Sequence, residues 1–301
     1  MGDSLKVLVL GGAGQVGFEL QRALAPVASL CAPGFGDYPR FDLNDFAKLE
    51  ESVSAFGPDV VINAAAYTAV DKAESERELA TRINAEAPGV LARAAAKVGA
   101  AIIHYSTDYV FDGQGSNYRS ELETTAPLNH YGASKLAGEE AVAAENSRHL
   151  ILRTSWVYAA HGKNFPKTIL RLAANRDTLS VVADQVGAPT GAPMLADATT
   201  QALLSLKRGK GAYGLYHLVA SGETSWHELA VFLCKEALAQ GLLPKAPNIE
   251  PITSAEFPTP AKRPFNSRLS NEKFKTSFDL LLPHWKDGVS HLVRELAQAN
   301  L

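Results

Sequence analysis

Apolar positions in the first half of the chain fall into two kinds of segment. Short, nearly continuous apolar runs occupy Leu5–Leu10 and residues 28–32, 58–63, 101–105 and 150–152. Runs of this length, bounded by glycine, proline or polar residues, read as buried parallel strands. Between them, residues 18–24, 45–56, 85–98 and the stretch containing 129–136 carry apolar positions at helical spacing. Strands alternating with helices predict βαβ units and a doubly wound parallel sheet. Residues 70–74 open a further helix, whose charges (Lys72, Glu74, Glu76, Arg77, Glu78) suit a solvated face.

The second half is less regular. An amphipathic helix is predicted over 164–175, a strand over 179–182, a turn over 184–190, a helix over 196–206 and a strand over 211–219. A helix over 229–239 follows Thr224 or Ser225 as cap, with Glu228 placed for a capping box. Residues 266–270 lead into a C-terminal helical segment whose core takes Trp285. The expected architecture is α/β: a Rossmann-like doubly wound parallel sheet with a second, smaller α/β substrate domain. The first domain would hold residues 1–155 plus about 192–206, and the second about 156–191 and 207–301.

Composition narrows the function. With 301 residues, 46% hydrophobic and 20% charged, the chain can bury two cores. A net charge of -3 gives no electrostatic reason for nucleic acid or an acidic membrane surface as partner. The two cysteines, Cys31 and Cys234, lie in apolar surroundings and read as buried reduced thiols. No His or Cys cluster has metal-ligand spacing. The first apolar run is too short for a signal peptide or membrane span, so a cytoplasmic location is the default expectation.

Two stretches carry chemistry. The first strand runs into Gly11, Gly12, Ala13, Gly14, Gln15, Val16 and Gly17, then a helix, which is the context of a dinucleotide fingerprint. Gly11 permits the turn, Gly14 lets backbone approach a pyrophosphate, and Gly17 lets helix and strand pack closely. Ala64, Ala65 and Ala66, ending the third strand, are small enough to lie against a cofactor. Asp42 and Leu43 could flank the adenine. The second strand ends at Pro33-Gly34, with Asp37 and Arg40 beyond, so no acidic residue there enforces NAD, and NADPH and NADH are both admitted. In the second stretch, Tyr131 and Lys135 lie one helical turn apart, separated by small residues. A phenol beside an ammonium is a proton donor and acceptor, because the charge favours the phenolate. Thr107, ending the fourth strand, supplies a second hydroxyl, and His104 reads as a satisfied strand residue. Trp156 is core or ligand contact. Lys262 and Arg263, in a stiff proline-rich loop, suit a pyrophosphate or solvent.

These pieces in this order resemble the extended short-chain dehydrogenase/reductase superfamily over the whole chain. Residues 63–74, 105–112, 153–158, 184–191, 214–222 and 258–269 resemble in particular its dTDP-4-dehydrorhamnose reductase branch. The resemblance implies reduction of the C4 keto group of dTDP-4-dehydro-β-L-rhamnose by NADPH or NADH. Tyr131 would donate the proton, and Lys135 would bind the nicotinamide ribose and lower the tyrosine pKa. Thr107 would hold the carbonyl oxygen, with Asp108 beside it. Trp156 would contact the sugar, and Ala64–66 and Tyr105 would line the cofactor. Some relatives bridge a homodimer with Mg2+. Glu19 matches one such carboxylate, but Pro193 stands where a second is expected, so the resemblance does not carry a Mg2+ site or a metal-bridged homodimer over to this sequence. Other readings are another sugar-nucleotide reductase or 4-epimerase, or a non-catalytic NADP-binding module like the regulatory subunit of methionine adenosyltransferase.

Overall fold

The structure, a computed structural model, describes residues 4–32 and 42–299. Pro33, Gly34, Asp37 and Arg40, on which cofactor choice was weighed, lie outside the described residues. Six strands form the central sheet: β1 (Leu5–Leu10), β2 (Ala28–Cys31), β3 (Val60–Asn63), β4 (Ala101–Thr107), β5 (His149–Thr154) and β6 (Gly214–His217). Their order is β6-β5-β4-β3-β1-β2 and every pairing is parallel. The register sets Leu10 beside Asn63, Asn63 beside His104, and Thr107 beside Thr154. The carboxyl ends of β1, β3 and β4 therefore meet on one edge, and the strand order reverses between β1 and β3. That switch point is where doubly wound sheets bind ligands.

Successive residues of β1 divide between two cores, as a strand buried on both faces requires. Val7 and Val9 pack with Ile62, Ile103 and Leu152 against Leu20 and Leu24 of helix α1 (Gln15–Leu24). Leu8 and Leu10 pack with Val61 and Ile102 on the other face, covered by α2 (Phe46–Phe56), α3 (Ala87–Lys97) and α4 (His130–Glu145) through Leu49, Leu91 and Val142. Helix α1 starts three residues before the predicted 18–24, because the turn of Gly14 already opens it. A π-helical turn over Arg82–Glu86 precedes α3 and places Asn84 under the Tyr131 helix.

The second unit gathers α5 (Phe165–Ala173), α7 (Trp226–Ala239) and α8 (Trp285–Ala299), once α6 (Ala192–Lys207) has crossed back. Ile169, Leu229, Leu233, Trp285, Val289 and Leu292 form its core. A strand at Thr178–Val182 pairs with one at Asn248–Ile252 that the apolar pattern does not reveal, since Asn, Glu and Pro interrupt it. Helix α6 packs through Leu195 and Ala202 in the same core as Leu20 and Leu24. Strand β6 and the residues Phe274 and Phe278 also join that core, although residues 207–301 were expected in the other domain. The exposed edge of β5 needs a partner strand, and sequence does not say which strand supplies it. Both cysteines are buried and unpaired.

Candidate active site

The glycine turn is forced by contact. Gly11 has φ +80°, and a Cβ there would lie 2.7 Å from Ala65 N. A Cβ on Gly17 would lie 2.1 Å from the Gly11 carbonyl oxygen. The Gly14 N–H donates to Gly11 O at 2.9 Å and closes the loop. Gly14 caps α1 without a side chain, so the first N–H groups of that helix keep no side-chain partner. Free N–H groups with the positive end of the helix dipole suit a pyrophosphate. These residues therefore fit a dinucleotide. Ala64, Ala65 and Ala66 are half-buried at the end of β3 beside this turn. Gln15 is turned away, accepting from Asn164 Nδ2 at 2.8 Å, and His161 donates to Ala13 O at 2.9 Å, so the second unit leans on the turn. Asp42 folds back on Asn44, accepting its N–H at 2.9 Å, and Leu43 packs on the α2–α3 face.

Helix α4 begins at Asn129, whose Oδ1 accepts the Gly132 N–H at 2.8 Å. Gly132 and Gly138 let it lie close to its neighbours, since a Cβ on either would fall about 2.2 Å or less from a carbonyl oxygen, of Tyr109 and Asn84 respectively. This close packing aims Tyr131 at the end of β4. Tyr131 hydrogen-bonds with Thr107. The Thr107 hydroxyl also donates to Asp108 Oδ1 at 3.1 Å, and Tyr109 meets the Tyr131 ring edge-on at 5.5 Å. Thr107, Asp108 and Tyr131 thus form one cluster. Burial pushes the Tyr131 phenol well above its ordinary value; the Thr107 hydrogen bond opposes this, and Asp108 and Tyr109 push further up. Burial likewise raises Asp108 to about 6, eased by the Ser267 and Thr107 hydroxyls.

Lys135 corrects the simple phenol–ammonium picture. It is 2% exposed, and its Nζ turns to the Tyr105 carbonyl at 2.6 Å and to His104 Nε2 at 3.2 Å. Burial lowers it to about 8, opposed by Glu139. Desolvation thus dominates at Tyr131, and the expected depression of the phenol by Lys135 is not seen in the cofactor-free chain. Tyr105 does not line the cofactor turn with its ring: the ring points into the core beneath α6 and its hydroxyl meets Thr199 Oγ1 at 2.7 Å. Strand alternation sends it there, leaving only its carbonyl toward the site.

Three further residues are engaged elsewhere. Arg153, in the stretch that most resembles the reductases, is buried and clamps Glu139 with Nε–Oε1 2.9 Å and Nη2–Oε2 2.6 Å, while Ser106 donates to Oε1 at 2.5 Å. Arg263 donates to Asp71 Oδ2 at 2.9 Å and hydrogen-bonds Tyr109, which places it beside the cluster but already paired. Lys262 is exposed. Trp156 sits at φ +50°, unusual for a bulky residue, and stacks on Trp226 with centroids 3.5 Å apart. Trp226 donates to Gln185 Oε1 at 3.2 Å. Sequence reasoning passed over Trp226, Glu139 and Asn84; their only signal is a polar or aromatic residue on a face that packing demands be apolar.

Metal binding does not fit. Glu19 is buried and pairs with Arg22 at 2.8 Å, Arg22 reaches Asp197 at 2.8 Å, and residue 193 is proline. Among the described residues no three His, Cys, Asp or Glu side chains gather as a metal site, and no helix is long and apolar enough to cross a membrane.

Residues 5–298 match the family described as RmlD substrate binding domain. The chain is 49% identical over 295 residues to the dTDP-4-dehydrorhamnose reductase of Escherichia coli (strain K12), covering 97% of this chain and 98% of that protein. It is 47% identical to the enzyme of the same name from Burkholderia thailandensis, covering 97% and 99%. The Bacillus anthracis dTDP-4-dehydrorhamnose reductase solved in complex with NADP superposes with a TM-score of 0.88 at 34% identity, covering 97% of this chain and 100% of that one. The Clostridium acetobutylicum reductase does so at 0.88 and 36%, covering 97% and 99%. With its glycine turn, its tyrosine–lysine helix and its two-unit fold, the chain belongs to the dTDP-4-dehydrorhamnose reductase family of NAD(P)-dependent oxidoreductases.

Proposed function

We propose that this protein reduces the C4 keto group of dTDP-4-dehydro-β-L-rhamnose, with NADPH or NADH, to give dTDP-L-rhamnose. The observation that carries the reading is the Thr107–Tyr131 pair at the end of β4, with Lys135 held one helical turn on against the Tyr105 carbonyl, in a chain matched to reductases of that name over almost its full length. Bound dinucleotide supplies the two electrons and one hydrogen of the reduction. Gly11, Ala13, Gly14, Gln15, Val16 and Gly17 hold its phosphates by backbone, and Ala64–66 leave room beside them.

Tyr131 is the proton donor to the carbonyl oxygen. Its raised pKa keeps the phenol protonated at neutral pH, as a donor must be before transfer. Thr107 donates to Asp108 in the substrate-free chain, and turning that one O–H away from Asp108 lets it donate to the incoming carbonyl oxygen beside the Tyr131 phenol. Lys135 binds the nicotinamide ribose. Trp156, braced by Trp226, forms the wall for the sugar, and Arg263 exchanges Asp71 for the substrate pyrophosphate. No metal-bridged dimer is part of this reading, because Glu19 is already paired.

Oxidation of NADPH and of NADH, followed by absorbance with freshly generated dTDP-4-dehydrorhamnose, tests the assignment. Turnover with the native chain and a loss on the order of 10²–10⁴ in kcat for Tyr131→Phe are expected. Undiminished turnover by the Phe variant would overturn the role of Tyr131; no turnover by the native chain would overturn the substrate.

A further inference from the structure

Three buried side chains join the cofactor edge of β3 to the lysine of α4. Asn63 Nδ2 lies 3.1 Å from His104 Nδ1, and His104 Nε2 lies 3.2 Å from Lys135 Nζ. Asn63 and His104 are 1% and 0% exposed. The orientation of the Asn63 amide is fixed from outside the chain of bonds. The Ala65 N–H can only donate, and it points at Asn63 Oδ1 at 3.2 Å. The atom facing His104 is therefore the amide nitrogen, which also only donates.

Hydrogen-bond parity then runs to the end of the chain. Nδ1 of His104 must accept, so the imidazole is neutral and carries its proton on Nε2. That N–H points at Lys135 Nζ, which must accept as well. An ammonium has three donors and no lone pair, whereas an amine has one lone pair and two N–H groups. An amine meets both partners here: it accepts from His104 and donates to the Tyr105 carbonyl at 2.6 Å.

We propose that His104 is a positioning residue which, oriented by Asn63, presents its Nε2–H to Lys135 and so favours the amine form of that lysine over the ammonium in the cofactor-free protein. The other groups facing the lysine agree with this. Glu139 lies one turn on along α4, but its charge is taken up by Arg153 of β5 and the Ser106 hydroxyl. Tyr131 lies one turn back with its phenol held protonated.

The consequence deepens the reading of Lys135 as a ribose-binding residue and rests on that reading. Charging the lysine requires a lone pair on His104 Nε2. The imidazole proton must then sit on Nδ1, and the Asn63 amide must turn over and release the Ala65 N–H. Lysine charge is thus coupled to the backbone of residues 64–66, the segment offered to the dinucleotide.

The test is nitrogen-15 NMR of the full cofactor-free chain, labelled in histidine and lysine, between about pH 5.5 and 9, spanning the ordinary histidine range. His104 is expected to stay neutral throughout with its proton on Nε2. Asn63→Asp presents only acceptors to Nδ1, so the proton should move to Nδ1 and the Lys135 midpoint should rise by about one pKa unit or more, a tenfold change in its protonation constant. His104→Gln, which turns an amide oxygen to the lysine, should raise the midpoint likewise. A native His104 protonated on Nδ1, or titrating with an ordinary midpoint, overturns the proposal, as does an unmoved lysine in Asn63→Asp once the tautomer has flipped. The native spectrum decides the matter even if neither variant folds. None of these readings depends on turnover, so absence of reductase activity leaves the result standing and is told apart from it.

Discussion

Arg153→Met tests whether the most reductase-like stretch acts on substrate or on the fold. Arg153 and Glu139 are 3% and 5% exposed, and two bonds of 2.9 and 2.6 Å join them across β5 and α4. Removing the guanidinium leaves a carboxylate in the core with only the Ser106 hydroxyl as partner. Stranding one member of a buried pair costs about 3–5 kcal/mol. The arginine stem also covers the Phe111 ring, its guanidinium carbon lying 5.0 Å from the ring centroid, and methionine recovers part of that packing. For 301 residues the unfolding entropy near the melting temperature is about 0.6 kcal/mol/K, so the loss corresponds to a fall in Tm of roughly 5–8 °C. The double variant Arg153→Met with Glu139→Leu removes both charges and should regain most of that fall, since apolar replacements of buried pairs are often neutral or better. Differential scanning calorimetry of the native chain, both single variants and the double variant closes the cycle. A fall below about 2 °C for Arg153→Met, or a double variant as unstable as the sum of the singles, would sink the structural role of the pair.

Gly17→Ala should cost about 3 kcal/mol, because its Cβ falls 2.1 Å from the Gly11 carbonyl oxygen; the melting temperature and NADPH affinity should drop together. Asp108 has a folded pKa raised to about 6, so its protonated form is favoured by folding, and the stability present below the unfolded value of about 3.9 is lost as pH rises through 6. Asp108→Asn should therefore flatten the Tm profile between about pH 4 and 6 and gain on the native chain above it; an unchanged profile refutes the burial of that carboxyl. Trp226→Leu removes the stack that braces Trp156, and should raise KM for the sugar nucleotide more than it lowers kcat; an unaltered KM removes Trp156 from the sugar wall.

The alternation of apolar runs and helical spacing was enough to place five of the six sheet strands, because strands buried on both faces must be continuously apolar. The glycine turn and the Tyr131–Lys135 face were also readable, since each depends on contacts within one or two turns of chain. Asn248–Ile252 was not readable, as an exposed strand need not be apolar. The rank of Arg153 and Trp156 was legible but their partners were not: Glu139 is 14 residues from Arg153 and Trp226 is 70 from Trp156, and no local spacing relates them.

What the sequence determined by itself is therefore local. It specified a glycine turn that only glycine can make, a helix that sets a phenol and an amine on one face, and a run of apolar strands that must stack in parallel. Tertiary structure decided the rest. It folded β6 back onto the first unit, turned the Tyr105 ring into the core, paired Arg153 with Glu139, and enclosed Lys135 between a carbonyl and an imidazole. Those outcomes depend on desolvation and on which groups meet across the sheet. Burial decides whether a lysine is charged and whether a phenol is protonated, and burial is a property of the assembled chain.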